Sequence, residues 1–78
     1  MPIVSVKLVE GVFEQEDLER LAREVTDAVV RVGGEGIRPG VQVTIERVRS
    51  GLWCSGGKHL RTEELLARRA ARKAAGNS

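Results

Sequence analysis

The sequence predicts an α+β fold: a β-α-β unit with parallel strands, a short Gly-rich hairpin loop and an extra carboxy-terminal helix, with the sheet completed by oligomerisation. Three observations carry this. Ile3 to Val9 is a short run rich in β-branched residues, residues 14–32 carry one apolar stripe at helical spacing, and residues 41–46 alternate apolar and polar side chains.

The first run, Ile-Val-Ser-Val-Lys-Leu-Val, reads as a mostly buried strand that starts almost at the amino terminus and ends before Gly11. The helix follows, with Leu18, Leu21, Ala22, Val25, Ala28, Val29 and Val32 on one face. Glu14, Glu16 and Asp17 suit the positive end of its dipole, and Gly33-Gly34 supply a stop. Glu16/Arg20, Glu19/Arg23 and Asp27/Arg31 are spaced to pair along its outer face. After a turn at Arg38-Pro39-Gly40, the Val41–Glu46 segment has the period of a strand with one buried face.

Two strands joined through a helix this long cannot form a tight hairpin, so they are expected to lie parallel through a right-handed crossover. Ser50 to Lys58 places three glycines around Leu52-Trp53-Cys54 and reads as a hairpin or lid loop. From Thr62, expected as N-cap, a second helix runs to about Ala75 with Glu63 and Glu64 in its first turn and a thin, alanine-rich apolar face.

A chain of 78 residues supports one domain whose core is marginal when alone. Residues 1–60 form the expected β-α-β domain and residues 61–78 a basic helix and tail. One helix covers one sheet face, which makes another copy of the chain the expected cover for the other. Residues 1–57 carry 7 basic and 9 acidic side chains, against 6 and 2 in residues 58–78, so the net charge of +2 comes from the tail. That tail lacks interleaved aromatic residues, which argues against nucleic acid as a partner. No apolar run approaches the roughly 20 residues of a membrane span. There is no secretory pattern and Cys54 is the single cysteine, so the expected address is the cytoplasm.

The chemistry begins at Pro2. It follows Met1 directly, and a small penultimate residue permits removal of the initiator methionine, leaving proline as a free secondary amine. An α-amino group titrates at about 7.7–8.0, and desolvation or a nearby cation favours its neutral form, so such an amine can take and return protons near neutral pH. With Met1 retained, the same nitrogen is a tertiary amide without a basic lone pair.

Pro2-Ile3-Val4 opening a strand, Glu10-Gly11 closing it, the long helix, the 41–46 strand and then Gly51-x-Trp53-x-x-Gly56-Gly57 together resemble the 4-oxalocrotonate tautomerase family from Pro2 to about Gly57. The resemblance implies a hexameric enzyme, without cofactor or metal, whose terminal proline moves a proton between the oxygen and carbon ends of an enol or dienol of a 2-oxo acid. Pro2 takes that role. Trp53 takes the place of an aromatic residue lining the pocket beside the proline; an anchor at a subunit contact is its other reading.

The family also supplies two arginines that grip the substrate's carboxylates and carbonyl. Val12 and Gln42 occupy those places here. Valine cannot replace a bidentate guanidinium, and glutamine offers only a neutral donor, so the parent diacid is disfavoured as substrate. Arg38, at the entrance to the second strand, and Arg47 and Arg49, at its exit, are the candidates to substitute, although none matches the family's positions and surface charge or an intersubunit ion pair is the more ordinary reading of each. Lys7 is expected at a subunit seam, with a place facing the pocket as its other reading.

Two alternatives stand beside the tautomerase. One is hydration or hydrolytic dehalogenation of an unsaturated acid, with Glu46 orienting water. The other is a noncatalytic subunit of a hetero-oligomer whose partner brings the arginines. Cys54 would be nucleophilic if His59 assisted it, but the sequence offers no third, orienting group, and a packed thiol is the expectation. Ser55-Gly56-Gly57-Lys58-His59 fails the phosphate-loop pattern because Gly57 stands where lysine belongs. Cys54 and His59 are too few for a zinc site.

Overall fold

The computed structural model describes residues 2–76, in the order β1 (Ile3–Val9), α1 (Gln15–Gly33), a 3-10 helical segment (Glu35–Gly40), β2 (Gln42–Val48), β3 (Trp53–Ser55), β4 (Lys58–Leu60) and α2 (Thr62–Ala74). β1 and β2 are paired. At one end the Gln42 N–H donates to the Pro2 carbonyl at 3.0 Å, and at the other the Glu10 N–H donates to the Val48 carbonyl at 2.8 Å. Both strands advance in the same direction between these bonds, so the pair is parallel, as a crossover through α1 requires. No helix among the described residues is long and apolar enough to cross a membrane.

The chain forms two compact units that share the two long strands. The first contains the chain up to Lys7 together with Phe13–Glu46. Here Glu14 stands in extended conformation before α1, and its N–H donates to Asp17 Oδ2 at 3.1 Å, which satisfies one orphan donor of the first turn. Leu18 and Val30 are buried on α1, with Leu21, Ala22, Val25 and Val29 half-buried around them.

The predicted stripe is corrected at its far end. Ala28 is exposed and Val32 is 91% exposed, while Val30, outside the stripe, is 5% exposed. The last turn meets the 3-10 segment: a Cβ on Gly33 would lie 2.4 Å from Ile37 Cδ1, so glycine admits Ile37 against the helix end. The last turn is therefore packed on the side of Gly33, and Val32 is left outside. The ion pairs also differ from the expected ones. Arg20 Nε turns to Glu24 at 3.0 Å instead of Glu16, and Asp27 is held by Arg38 at 2.8 Å instead of Arg31.

The expected turn at residues 38–40 is the end of the 3-10 segment, with Pro39 inside it. β2 keeps its alternation, with Val43 and Ile45 half-buried and Gln42, Thr44 and Glu46 exposed, but runs two residues past Glu46. β1 is not the mostly buried strand its composition predicts: Val4, Val6 and Leu8 are half-buried, whereas Ile3, Ser5 and Lys7 are exposed. The exposed face is mostly polar, and Thr44 Oγ1 donates across it to Ser5 Oγ at 3.4 Å.

The second unit contains Leu8–Val12 and the chain from Arg47. Val9 is 4% exposed although its side chain shares the face of Ile3, Ser5 and Lys7, so this end of that face is covered within the unit. The Gly-rich segment is a hairpin, with Trp53 opposite Leu60, Cys54 opposite His59 and Ser55 opposite Lys58. Gly56 (φ +59°) and Gly57 (φ +84°) form its two-residue turn, for which left-handed backbone at both positions matches the strand twist.

α2 begins one residue away from the expected cap. Arg61 is the N-cap and Thr62 the first helical residue; the Thr62 hydroxyl donates instead to the Glu10 carbonyl, and its N–H to Ser50 Oγ at 2.9 Å. Gly11 (φ +84°) allows this approach, since a Cβ there would meet Thr62 Cγ2 at 2.9 Å. The tail's last two residues, Asn77 and Ser78, lie outside the described residues.

Candidate active site

Pro2 is half-buried and leads directly into β1. Its carbonyl is held by the Gln42 N–H, which fixes the residue beside the start of β2. The register thus brings together the candidate base and the residue standing where the family places an arginine. The Gln42 side chain is exposed and neutral, able to offer a donor without charge. Met1, whose removal the chemistry of Pro2 requires, lies outside the described residues.

Arg38, also in the first unit, is committed to two carboxylates. Its Nε donates to Glu35 Oε1 at 2.6 Å and its Nη1 to Asp27 Oδ1 at 2.8 Å. The hydrogen bond from Arg38 holds the Glu35 carboxyl below its ordinary value, and Glu35 and then Asp27 raise the guanidinium above its own. The three side chains remain open to solvent, at 43%, 76% and 49% exposed, so the pairs lock geometry more than they add stability. Ala22, Arg23 and Thr26 line an open groove of about 290 Å³ beside them. A guanidinium facing two acids is poorly placed to take a third carboxylate.

In the second unit, Arg47 and Arg49 are exposed at the end of β2, and the Arg49 carbonyl accepts the Leu52 N–H at 2.9 Å, turning the chain toward β3. Trp53 is half-buried, held by pairing with Leu60. Glu46, of the first unit, is exposed on β2.

The structure adds one guanidinium that the sequence reading did not single out. Arg69, half-buried on α2, donates from Nη1 to the Val12 carbonyl at 3.0 Å. A guanidinium carried by α2 thus touches the backbone of Val12, the residue at which the family resemblance calls for an arginine. The signal was faint: Thr62, Leu65 and Arg69 share one helix face. The ties from Thr62 to Glu10 and Ser50 tell which part of the chain that face meets.

Comparison with known proteins bears on the same elements. A family model described as tautomerase enzyme matches residues 2–63, from Pro2 to the first turn of α2. The crystal structure of a 4-oxalocrotonate tautomerase homologue superposes with a TM-score of 0.67 and 32% identity, covering 76% of this chain and 90% of that one. That of a candidate 4-oxalocrotonate tautomerase from methicillin-resistant Staphylococcus aureus gives 0.65 and 39%, covering 80% and 94%. A search of curated proteins gives no match. With a matched segment that starts at Pro2 and takes in β1, α1, β2 and the hairpin, the chain belongs to the tautomerase family.

Proposed function

We propose that this chain is a cofactor-independent tautomerase that moves a proton within an enol or dienol of a 2-oxo acid, with Pro2 as general base and then general acid. The observation that carries the reading is that the family match begins at Pro2, the residue that opens β1. Once Met1 is removed, the neutral secondary amine takes the enol O–H proton. The electron pair of that O–H bond becomes the carbonyl π bond, and the alkene π pair receives the proton back from the ammonium at carbon. An apolar wall beside the amine keeps it neutral, and Trp53 is assigned to that wall.

For the carboxylate, Arg47 and Arg49 are retained from the sequence reading, and Arg69 joins them because α2 carries it to Val12. Arg38 ranks below them, since Asp27 and Glu35 already occupy it. With glutamine at 42, a substrate bearing one carboxylate fits better than a diacid.

The working form is a homo-oligomer, a hexamer by family resemblance, in the cytoplasm. Support comes from the slightness of the single chain's core: among the described residues only Val9, Leu18 and Val30 are buried, while Ile3 is 66% and Leu52 69% exposed. Ketonisation of an aryl enol-pyruvate by protein with a native amino terminus tests the reading, and co-purification with a similar chain carrying the missing arginines would replace it by the hetero-oligomer.

A further inference from the structure

The link between α1 and β2 has the composition of a loose one. Four of the eight residues from 33 to 40 are glycine, and Gly34 takes a positive φ of +94°, which puts a hinge directly after the helix. Two contacts close that hinge. Ile37 packs against the end of α1, where the missing Cβ of Gly33 leaves room for its Cδ1. Arg38 spreads its guanidinium over two carboxylates. Nε donates to Glu35 Oε1 at 2.6 Å, which closes the 3-10 segment on itself, and Nη1 donates to Asp27 Oδ1 at 2.8 Å, which ties the segment to α1. A planar fork serves both acids at once, whereas an ammonium is a point charge that cannot match this geometry.

Beyond the clamp the chain has little freedom left. Pro39 fixes its own φ, the Val41 N–H donates back to the Arg38 carbonyl at 3.2 Å, and the Gln42 N–H donates to the Pro2 carbonyl at 3.0 Å. That last bond stands at an end of the β1–β2 pair, where strands fray most readily. The ring of Pro2 locks the torsion about N–Cα, so the orientation of the carbonyl is what remains to place the amine against the sheet. Every group on this path, from Asp27 through Arg38 and Gln42 to Pro2, belongs to the first unit.

We infer that Arg38 is a positioning residue for Pro2. Held by Asp27 and Glu35, it keeps the 3-10 segment against α1 and so presents the Gln42 N–H to the Pro2 carbonyl, which sets where the amine stands. This role is distinct from a grip on substrate, because the guanidinium acts through the backbone of residues 38–42 and not on the reacting molecule. What the inference says of turnover rests on the tautomerase reading; the hold on the Gln42–Pro2 bond does not.

The test uses the full chain with a native amino terminus, an aryl enol-pyruvate as substrate, and amide hydrogen exchange followed by nuclear magnetic resonance. In Arg38→Ala, exchange at the Gln42 N–H is expected to quicken roughly fivefold, in keeping with the loss of two solvent-screened ion pairs. Amides of α1 around Leu18 should keep their native rate, which separates local release from loss of the fold. In the same variant kcat should fall about tenfold with KM little changed, since a misplacement of ~1 Å can cost about 100-fold and a smaller shift costs less. Asp27→Ala should behave alike, the double variant should be no worse than either single one, and Arg38→Lys, able to keep one contact, should recover part of both losses. A rise in KM at constant kcat would make Arg38 a substrate grip, and Gln42 exchange at the native rate would leave the clamp without a hold on Pro2; either result overturns the inference. Quickened Gln42 exchange in proteins that ketonise nothing, the native chain included, would overturn the tautomerase reading and leave the clamp standing.

Discussion

Arg69 reaches across 57 positions of sequence to donate a hydrogen bond of 3.0 Å to the main-chain oxygen of Val12. The residue that replaces one expected arginine is thus touched by another, supplied by a helix that lies almost wholly beyond the residues matched by the family. If Arg69 holds substrate, Arg69→Ala should raise KM for a carboxylate-bearing enol about tenfold, the loss of one charge-assisted contact, and Arg69→Lys should recover part of it. Steady-state kinetics and a thermal melt on the same samples decide the matter. A lower Tm with KM unchanged would make Arg69 a fastening for α2 and nothing more.

Gln42 sits beside Pro2 through the bond from its N–H to the proline carbonyl. Gln42→Arg restores a guanidinium at that place and should raise kcat/KM for an oxalocrotonate-type diacid about tenfold, from the gain of one charge-assisted hydrogen bond. An unchanged or lower rate would count against the assignment of position 42 to the pocket.

The Arg38 pairs give a pH dependence of definite sign. Arg38 holds the Glu35 carboxyl below its ordinary value of 4.5, so the folded chain binds that proton less readily than the unfolded one. The stabilisation is full above the ordinary value and is lost as pH falls through the lower, folded value. Glu35→Gln should therefore melt below wild type at neutral pH and converge with it as pH falls below the ordinary carboxylate range. A difference in Tm that stays constant over that range would contradict the pairing.

Ile3 is 66% exposed at the edge of an otherwise polar sheet face, and burying such a side chain contributes about 1.5–3 kcal/mol. If a second copy covers it, Ile3→Asp should lower the particle mass seen by light scattering while the far-ultraviolet circular dichroism of the monomer is retained. An assembly of unchanged mass would place the interface elsewhere.

The elements whose information is local were legible in the sequence. The alternation in β2, the helical period through Leu18, Leu21, Ala22, Val25 and Val29, and the paired glycines of the hairpin all follow from spacing within a few residues. What escaped depends on distant contacts. Ile37 packs against the end of α1 at Gly33, Arg38 is occupied because Asp27 lies within its reach, and Thr62 leaves the cap to serve the Glu10 carbonyl. The candidate site divides in the same way. Pro2 and Trp53 stood out by position and type, whereas Arg69 became visible only when α2 was folded.

The central claim is the role of Pro2, and its most direct test is ketonisation of an aryl enol-pyruvate followed by ultraviolet absorbance. The protein's mass should first confirm loss of Met1, and Pro2→Ala should be run beside it. The account predicts turnover by the native chain and a fall of at least ~100-fold in the mutant, the lower end of what a positioned acid-base group contributes. Equal rates in both, or no turnover despite a free Pro2 amine, would contradict it.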